Sequence, residues 1–134
     1  MIYVLDASAM IAFLRDETAA DVVSAALADA DSRSIAHALN LCEDYHDFHR
    51  ASGESVAESV IEDLEKLGVK ANEALTPDVW RKAAEIKSVH RRVSLADCFA
   101  LTLTASLDAE FLTADHHELD ALLKHDICKI RFIR

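Results

Sequence analysis

Residues 2–14 read Ile2-Tyr3-Val4-Leu5-Asp6-Ala7-Ser8-Ala9-Met10-Ile11-Ala12-Phe13-Leu14, and this stretch decides the fold of the chain. A short apolar run leads into Asp6, and an apolar segment follows Ser8, so we predict a buried strand, a sharp turn and a helix. In an open parallel sheet, ligands bind at the carboxyl ends of the strands, where this turn would place Asp6. Taken alone, Asp6 and Ser8 are more often a helix cap than a binding site.

Length and composition indicate one compact, helix-rich domain over residues 1–134. Hydrophobic residues make up 51% of the chain, which is enough for one core. With only 2 Gly and 1 Pro, the chain should have short connections and no linker. The formal net charge of −10 does not suggest a general nucleic-acid coat protein, because such proteins are usually basic.

The cysteines and the N-terminal sequence predict where in the cell the protein is located. Cys42, Cys98 and Cys128 lie far apart and form no Cys-x-x-Cys pair, so we expect reduced thiols rather than a structural zinc site. Cys42 and Cys98 are predicted to be core thiols. The chain shows neither a signal-peptide pattern nor an apolar run of about 20 residues, so we expect a cytoplasmic protein with no membrane segment.

Strand-like and helix-like segments alternate along the chain. Strands are predicted at 2–5, 33–37, 69–74, 109–113 and 127–133, the last at a sheet edge. Helices are predicted after the first strand and at 17–30, 38–51, 54–67, from Thr76-Pro77 onward, 95–107 and 115–124. In the helix that starts at Thr76-Pro77, Trp80 is expected to face inward and to lie in the core or at an interface. The alternation predicts a three-layer α/β/α domain with a short, mainly parallel sheet of about five strands.

Carboxylates recur at the starts of helices. Besides Asp6, they occur in Asn40-Leu41-Cys42-Glu43, Ser94-Leu95-Ala96-Asp97 and Asp115-His116-His117-Glu118. Each of these segments has the form of a helix-capping box, and each alone is more often structural than functional. Helices that follow parallel strands begin near the same sheet edge, however, so the acids can converge there.

A convergent group of carboxylates has a chemical consequence. Two unit charges 4 Å apart repel by about 4 kcal/mol at an effective dielectric of about 20. The group must therefore either take up protons or bind a hard divalent cation. All-carboxylate ligation selects Mg²⁺ or Mn²⁺ over Zn²⁺, and such ions typically act on phosphoryl groups.

Four segments, in this order and spacing, resemble a PIN domain of the VapC toxin type. They are Val4-Leu5-Asp6-Ala7-Ser8-Ala9, Asn40-Leu41-Cys42-Glu43, Ser94-Leu95-Ala96-Asp97-Cys98-Phe99-Ala100-Leu101 and Phe111-Leu112-Thr113-Ala114-Asp115. The resemblance covers the chain nearly end to end. It implies a PIN-like fold and a Mg²⁺- or Mn²⁺-dependent endoribonuclease, the toxin of a type II toxin–antitoxin pair. Hydrolysis would leave a 5′-phosphate and a 3′-hydroxyl.

The resemblance also assigns roles to residues of this chain. The implied catalytic and metal-binding acids are Asp6, Glu43, Asp97 and Asp115, with Asp6 and Asp97 as the expected direct ligands. Ser8, Asn40 and Thr113 match polar positions that support those acids. The implied partners are an RNA substrate, a cognate antitoxin protein and a second copy of the chain in a homodimer.

Phosphate contacts need positive charge, which this acidic chain offers in few places. Lys87-Ser88-Val89-His90-Arg91-Arg92 is the best candidate because it immediately precedes the segment that carries Asp97. Its His90, Arg91 and Arg92 are predicted to contact RNA; the alternative is a solvated helix end whose cations complement the helix dipole. Arg15 and His116 are weaker substrate-binding candidates.

Other functions fit the sequence less well. A zinc site from His46, His49, His116 and His117 is disfavoured because nothing ties the two pairs together. A haloacid-dehalogenase-like phosphatase would need Asp-x-Asp after the first strand, where this chain has Asp6-Ala7-Ser8. A non-catalytic PIN-like binding module typically lacks one or more of the four acids, whereas this chain has all four. Glu118 and Asp120 are expected to be solvated helix charges, although either could support Asp115.

Overall fold

The computed structural model describes residues 1–134 and has a five-stranded sheet at its centre. The strands are β1 (Ile2–Leu5), β2 (Arg33–His37), β3 (Val69–Asn72), β4 (Glu110–Thr113) and β5 (Lys129–Phe132). They lie in the order β3-β2-β1-β4-β5, and every neighbouring pair is parallel. The predicted α/β class is confirmed, and β5 lies at an edge as expected.

Seven helices connect the strands. They are α1 (Ala7–Leu14), α2 (Ala20–Ala28), α3 (Ala38–Ser52), α4 (Glu54–Lys66), α5 (Pro77–Val89), α6 (Leu95–Ser106) and α7 (His116–Leu119), with a 3₁₀ turn at Asp120–Lys124. None of these helices has the length and apolarity required to cross a membrane.

The sheet is buried on both faces. Val4 and Phe111 belong to one apolar cluster, whereas their chain neighbours Leu5 and Leu112 belong to another. Because successive side chains of a strand point to opposite faces, the two clusters lie on opposite sides of the sheet. Helix α6 packs against β1, β2 and β4 on the first side. Its burial explains why its sequence is apolar almost all round.

The capping residue of α3 differs from the prediction. Helix α3 begins at Ala38 as predicted, but its cap is His37 and not Asn40. The His37 imidazole accepts a hydrogen bond from the Leu39 backbone N–H at 3.1 Å and donates from Nε2 to the Ala74 carbonyl at 3.0 Å. Because His37 fills the capping position, the Asn40 side chain is free to face α6.

Two predicted core residues are exposed. Cys42 is exposed on α3 because the buried positions of that helix are Asn40 and Asp44, and Cys42 lies about 200° around the axis from Asn40. Trp80 is 45% exposed, and the guanidinium of Arg81 lies over its ring, 5.0 Å from the ring centroid. The core placement was wrong for both residues. Cys98 is buried as predicted.

Candidate active site

The predicted carboxylates lie together in a cleft at the carboxyl edge of the sheet. The cleft has a volume of about 250 Å³ and is lined by Asp6, Ala7, Ser8, Ile11, Glu43, Asp47, Ser94, Asp97, Asp115 and Glu118. These residues come from the end of β1, from α1, from α3, from the start of α6 and from the segment after β4. The lining contains six acidic side chains and no Lys, Arg or His.

Asp6 is held by donors on both carboxylate oxygens. Its Oδ1 accepts from the Ala9 backbone N–H at 2.8 Å, which caps α1 as predicted, and from the Ser8 hydroxyl at 2.7 Å. Its Oδ2 accepts from the Thr113 hydroxyl at 2.5 Å. Burial raises the pKa of Asp6 to about 6, although these three bonds oppose that rise. An acid that accepts three bonds and donates none is arranged to act as an anion.

Ser8 and Thr113 have their hydroxyl orientations fixed by backbone donors. The Ala114 N–H donates to Ser8 Oγ at 2.9 Å, and the Asp115 N–H donates to Thr113 Oγ1 at 3.0 Å. Each hydroxyl therefore accepts from the chain after β4 and directs its own proton to Asp6. The carboxyl ends of β1 and β4 are joined in this way, which fixes Asp6 relative to Asp115.

Asp97 occupies the first turn of α6. The Ser94 hydroxyl accepts from the Asp97 N–H at 3.1 Å, which confirms Ser94 as the helix cap. The Asp97 carboxylate receives a hydrogen bond from Asn40 Nδ2 at 2.9 Å. Burial raises the pKa of Asp97 to about 8, and the negative charges of Asp6 and Glu43 add to this rise. This single amide donor stabilises the anion less than the three donors do at Asp6.

Glu43 and Asp115 complete the set predicted from the sequence. Glu43 is half-buried on α3, and burial followed by the charge of Asp6 raises its pKa. Asp115 caps α7 by accepting from the Glu118 N–H at 3.1 Å. Both side chains line the cleft, so the structure brings together all four acids.

Glu118 is an additional carboxylate of the cleft. Oxygen atoms of Asp97, Asp115 and Glu118 all lie within 4.8 Å of one another, and Asp6 is not part of this trio. Burial raises the pKa of Glu118, and the charge of Asp115 adds to the rise. The sequence pattern that could have indicated this role is the position of Glu118, three residues after the capping residue Asp115. The prediction was mainly that Glu118 is a solvated helix charge.

Two further acids of α3 were missed. Asp47 lines the cleft one helical turn after Glu43. Asp44 is fully buried and neither of its carboxylate oxygens has a hydrogen-bond partner. Burial raises the pKa of Asp44 to about 9, with further rises from Asp6, Asp47 and Glu43. The only hint of its burial in the sequence is its place four residues after Asn40.

The predicted substrate-binding cations lie outside the cleft. Arg91 and Arg92 are exposed in the loop just before Ser94. His90 packs edge-on against His125 at 4.6 Å between ring centroids. Arg15 is exposed at the end of α1, with its guanidinium 4.9 Å from the centre of the Phe48 ring.

Two other basic side chains of these segments are already engaged. The ring nitrogens of His116 contact the Arg134 carbonyl and the Asp120 carboxylate, and its ring stacks on Phe132. Lys87 donates from Nζ to the carbonyls of Arg91 and Val93. The ammonium of Lys87 therefore points into its own loop.

The cleft fits a hard divalent cation. Its donors are carboxylate and hydroxyl oxygens without sulfur or imidazole, and no Lys, Arg or His side chain lines it. Such a donor set suits Mg²⁺ or Mn²⁺. The raised pKa values of Asp6, Asp97, Glu43 and Glu118 have the same origin, since a buried acid surrounded by acids resists ionisation until a cation joins it.

Comparison with known proteins identifies the family. The family model described as PIN domain matches residues 3–122, which is most of the chain. The chain therefore belongs to the PIN domain family. No curated protein matches it at the level of sequence.

Solved structures with the same fold include VapC toxins and their complexes. VapBC-1 from nontypeable Haemophilus influenzae matches with a TM-score of 0.74 and 15% identity over 99% of this chain and 98% of that one. VapBC2 from Rickettsia felis, bound to promoter DNA, matches with 0.72 and 11% over 98% of each chain. VapC20 from Mycobacterium tuberculosis, a sarcin-ricin loop cleaving toxin, matches with 0.69 and 14% over 90% and 95%.

Proposed function

We propose that this protein is a Mg²⁺- or Mn²⁺-dependent endoribonuclease and the toxin of a type II toxin–antitoxin pair. The observation that carries the proposal is the convergence of Asp6, Glu43, Asp97 and Asp115 in a cleft without a cationic side chain. Membership of the PIN domain family supports nuclease chemistry. The VapC neighbours support the toxin role, and one of them is described as a sarcin-ricin loop cleaving toxin.

The residues suited to hold the ion are the trio Asp97, Asp115 and Glu118, with Asp6 and Glu43 around it. When bound, the ion supplies positive charge that offsets the carboxylates and the substrate phosphate, and it acidifies water for attack on phosphorus. The family resemblance favours Asp6 and Asp97 as direct ligands. The trio extends that set to Glu118.

The surrounding residues prepare the acids for this task. Thr113 and Ser8 hold Asp6 as an anion in a fixed orientation, and Asn40 aligns Asp97 from the opposite side. This orientation matters for catalysis, because misplacing a catalytic group by about 1 Å can lower the rate on the order of 100-fold. Glu43 lies outside the trio and burial raises its pKa, so we assign it the role of accepting a proton from attacking water.

RNA must be held by cations at the rim, because the cleft itself is acidic. Arg91 and Arg92 are the strongest candidates, since they are exposed within a few residues of Asp97. His90 and Arg15 are further rim candidates. His116 is a weaker one because contacts within the chain already occupy both its ring nitrogens.

A cognate antitoxin and a second copy of the chain are the proposed protein partners. An acidic cleft of this kind suits an inserted arginine, whose guanidinium can pair with two carboxylate oxygens. One neighbouring structure is described as a toxin–antitoxin complex, and another as a member of the VapBC family of toxin–antitoxin systems. Exposed Trp80 offers apolar surface for a homodimer. Three unpaired thiols fit a cytoplasmic location.

A non-catalytic PIN-like binding module is the alternative, and a phosphatase is less favoured. A cleavage assay distinguishes them. Purified protein free of antitoxin is incubated with pooled transfer and messenger RNAs in Mn²⁺, alongside a chelator arm, an Asp6→Asn variant and Asp16→Asn as a matched surface control. We expect cuts with the parent and Asp16→Asn only. Intact RNA in every arm, with Mn²⁺ bound to none of the proteins, would favour the binding module.

A further inference from the structure

Lys87 makes an unusual pair of contacts in the last turn of α5. Its Nζ donates to the carbonyl of Val93 at 2.7 Å and to the carbonyl of Arg91 at 2.8 Å. Both carbonyls belong to the loop that connects α5 to α6. A lysine whose ammonium donates to backbone carbonyls stabilises the conformation of the loop. Its charge is then not free to bind phosphate.

The contact with Val93 defines the orientation of one peptide group. The carbonyl of the Val93–Ser94 peptide accepts from Lys87, and the N–H of the same peptide donates to Glu118 Oε2 at 3.3 Å. Val93 itself is 1% exposed and anchors the loop in the core. The peptide therefore connects Lys87 on one side with Glu118 on the other.

This peptide leads directly to the acidic trio. Ser94 caps α6 by accepting from the Asp97 N–H at 3.1 Å, and Glu118 lies in the trio with Asp97 and Asp115. A rotation of the Val93–Ser94 peptide would remove the N–H that orients Glu118. It would also displace the hydroxyl that caps the turn carrying Asp97.

We propose that Lys87 is a positioning residue for the cation site, acting through the Val93–Ser94 peptide on Glu118 and Asp97. The proposal rests on the proposed function, since it requires that the acidic trio binds a divalent ion. The proposal predicts that loss of the Lys87 ammonium weakens cation binding, whereas simple electrostatics predicts that it strengthens cation binding. Removing a positive charge near carboxylates should tighten cation binding, whereas removing a group that orients those carboxylates should weaken it.

The test is direct Mn²⁺ binding, measured from the electron paramagnetic resonance signal of free Mn²⁺, with RNA-cleavage kinetics in parallel. Lys87→Met removes the donors and the charge but keeps the aliphatic stem. We expect its Kd for Mn²⁺ to rise about tenfold, as is typical when groups that orient metal ligands are lost. We expect kcat to fall with little change in KM for RNA. Lys87→Arg keeps donors and charge and should restore the Kd to within about threefold of the parent value.

Lys82→Met is the matched control, because Lys82 lies on the same helix and pairs only with exposed Glu85. An Mn²⁺ Kd for Lys87→Met that equals the parent's, or is tighter, overturns the proposal. If Lys87→Met does not fold, Lys87→Gln is measured in its place with the same expected loss. A parent protein that binds no Mn²⁺ would instead overturn the metal-dependent function, and this inference with it.

Discussion

The side chain of Asn40 donates from Nδ2 to Oδ1 of Asp97 at 2.9 Å, and both residues are buried. The bond joins α3 to α6 across 57 residues of sequence. It is the one side-chain donor to a carboxylate that burial and its acidic neighbours push towards protonation. The orientation of Asp97 in the cleft therefore depends on a residue that lies outside it.

Asn40→Ala should weaken metal binding. Without the amide donor, Asp97 loses the bond that favours its anion and fixes its orientation, so we expect the Kd for Mn²⁺ to rise about tenfold. Stability without metal should fall by about 1–3 kcal/mol because a buried hydrogen bond and its donor are lost. Calorimetric titration and urea unfolding measure these two effects.

Asn72→Ala is the control for Asn40→Ala, since Asn72 accepts only from the Ala74 N–H in a local turn. Its affinity for Mn²⁺ should match that of the parent. Equal affinities for Asn40→Ala and the parent would show that Asn40 only supports the helix packing.

Thr113→Val should impair catalysis while keeping the side-chain shape. The change removes the hydroxyl that donates to Asp6 Oδ2, so the pKa of Asp6 should rise further and the cleavage rate at neutral pH should fall about tenfold. Thr113→Ser should retain most of the rate. Thr104→Val is the matched control, because that buried hydroxyl donates only to the Ala100 carbonyl. A pH–rate profile unchanged from the parent's in Thr113→Val would contradict this role.

Stability of the metal-free protein should fall as the pH rises. Burial raises the pKa of Asp6 to about 6 and that of Asp97 to about 8, both above the usual value of 3.8. The folded state therefore binds more protons than the unfolded state between pH 4 and pH 8, so the free energy of unfolding is highest below this window and declines through it. From these two shifts we expect a loss on the order of 5 kcal/mol between about pH 5 and pH 8 in chelator.

Urea unfolding at several pH values tests this dependence. Saturating Mn²⁺ at pH 8 should restore most of the loss, because the ion binds the folded state preferentially. A free energy of unfolding in chelator that stays constant or increases over this range would show that the cleft acids ionise without strain.

Asp44→Asn should stabilise the protein. The carboxyl of Asp44 is fully buried without a hydrogen-bond partner, and its pKa of about 9 means that folding at neutral pH requires it to take up a proton. The amide avoids that cost, so the gain should be larger at pH 8 than at pH 5. Thermal unfolding at the two pH values measures it. A lower melting temperature at both would indicate that the Asp44 anion has a stabilising partner.

Much of this site could be predicted because its local rules are strong. Asp6, Ser94 and Asp115 each precede a helical apolar pattern, and each caps its helix as expected. The parallel sheet then brings their helix starts to one edge, which follows from the alternation of strands and helices. The fold class and the convergence of the acids came from these regularities.

Other features depended on contacts that the sequence does not display. Asn40 resembled a helix cap, but His37 takes that place because its second ring nitrogen reaches the Ala74 carbonyl beyond β3. The role of Asn40 depends on a partner on α6. Asp44 was missed because nothing in its neighbours distinguishes a buried acid from a solvated one.

The central claim is that the cleft acids form a divalent-metal centre whose charge strains the metal-free fold. Melting temperatures of the parent and of Asp97→Asn, with and without Mn²⁺ at pH 7.5, test it most directly. We predict that the parent gains roughly 10 °C at 100 times the Kd. Asp97→Asn should start higher and lose this response. A parent indifferent to Mn²⁺, together with a lower melting temperature for Asp97→Asn, would contradict the claim and leave the acids as helix caps.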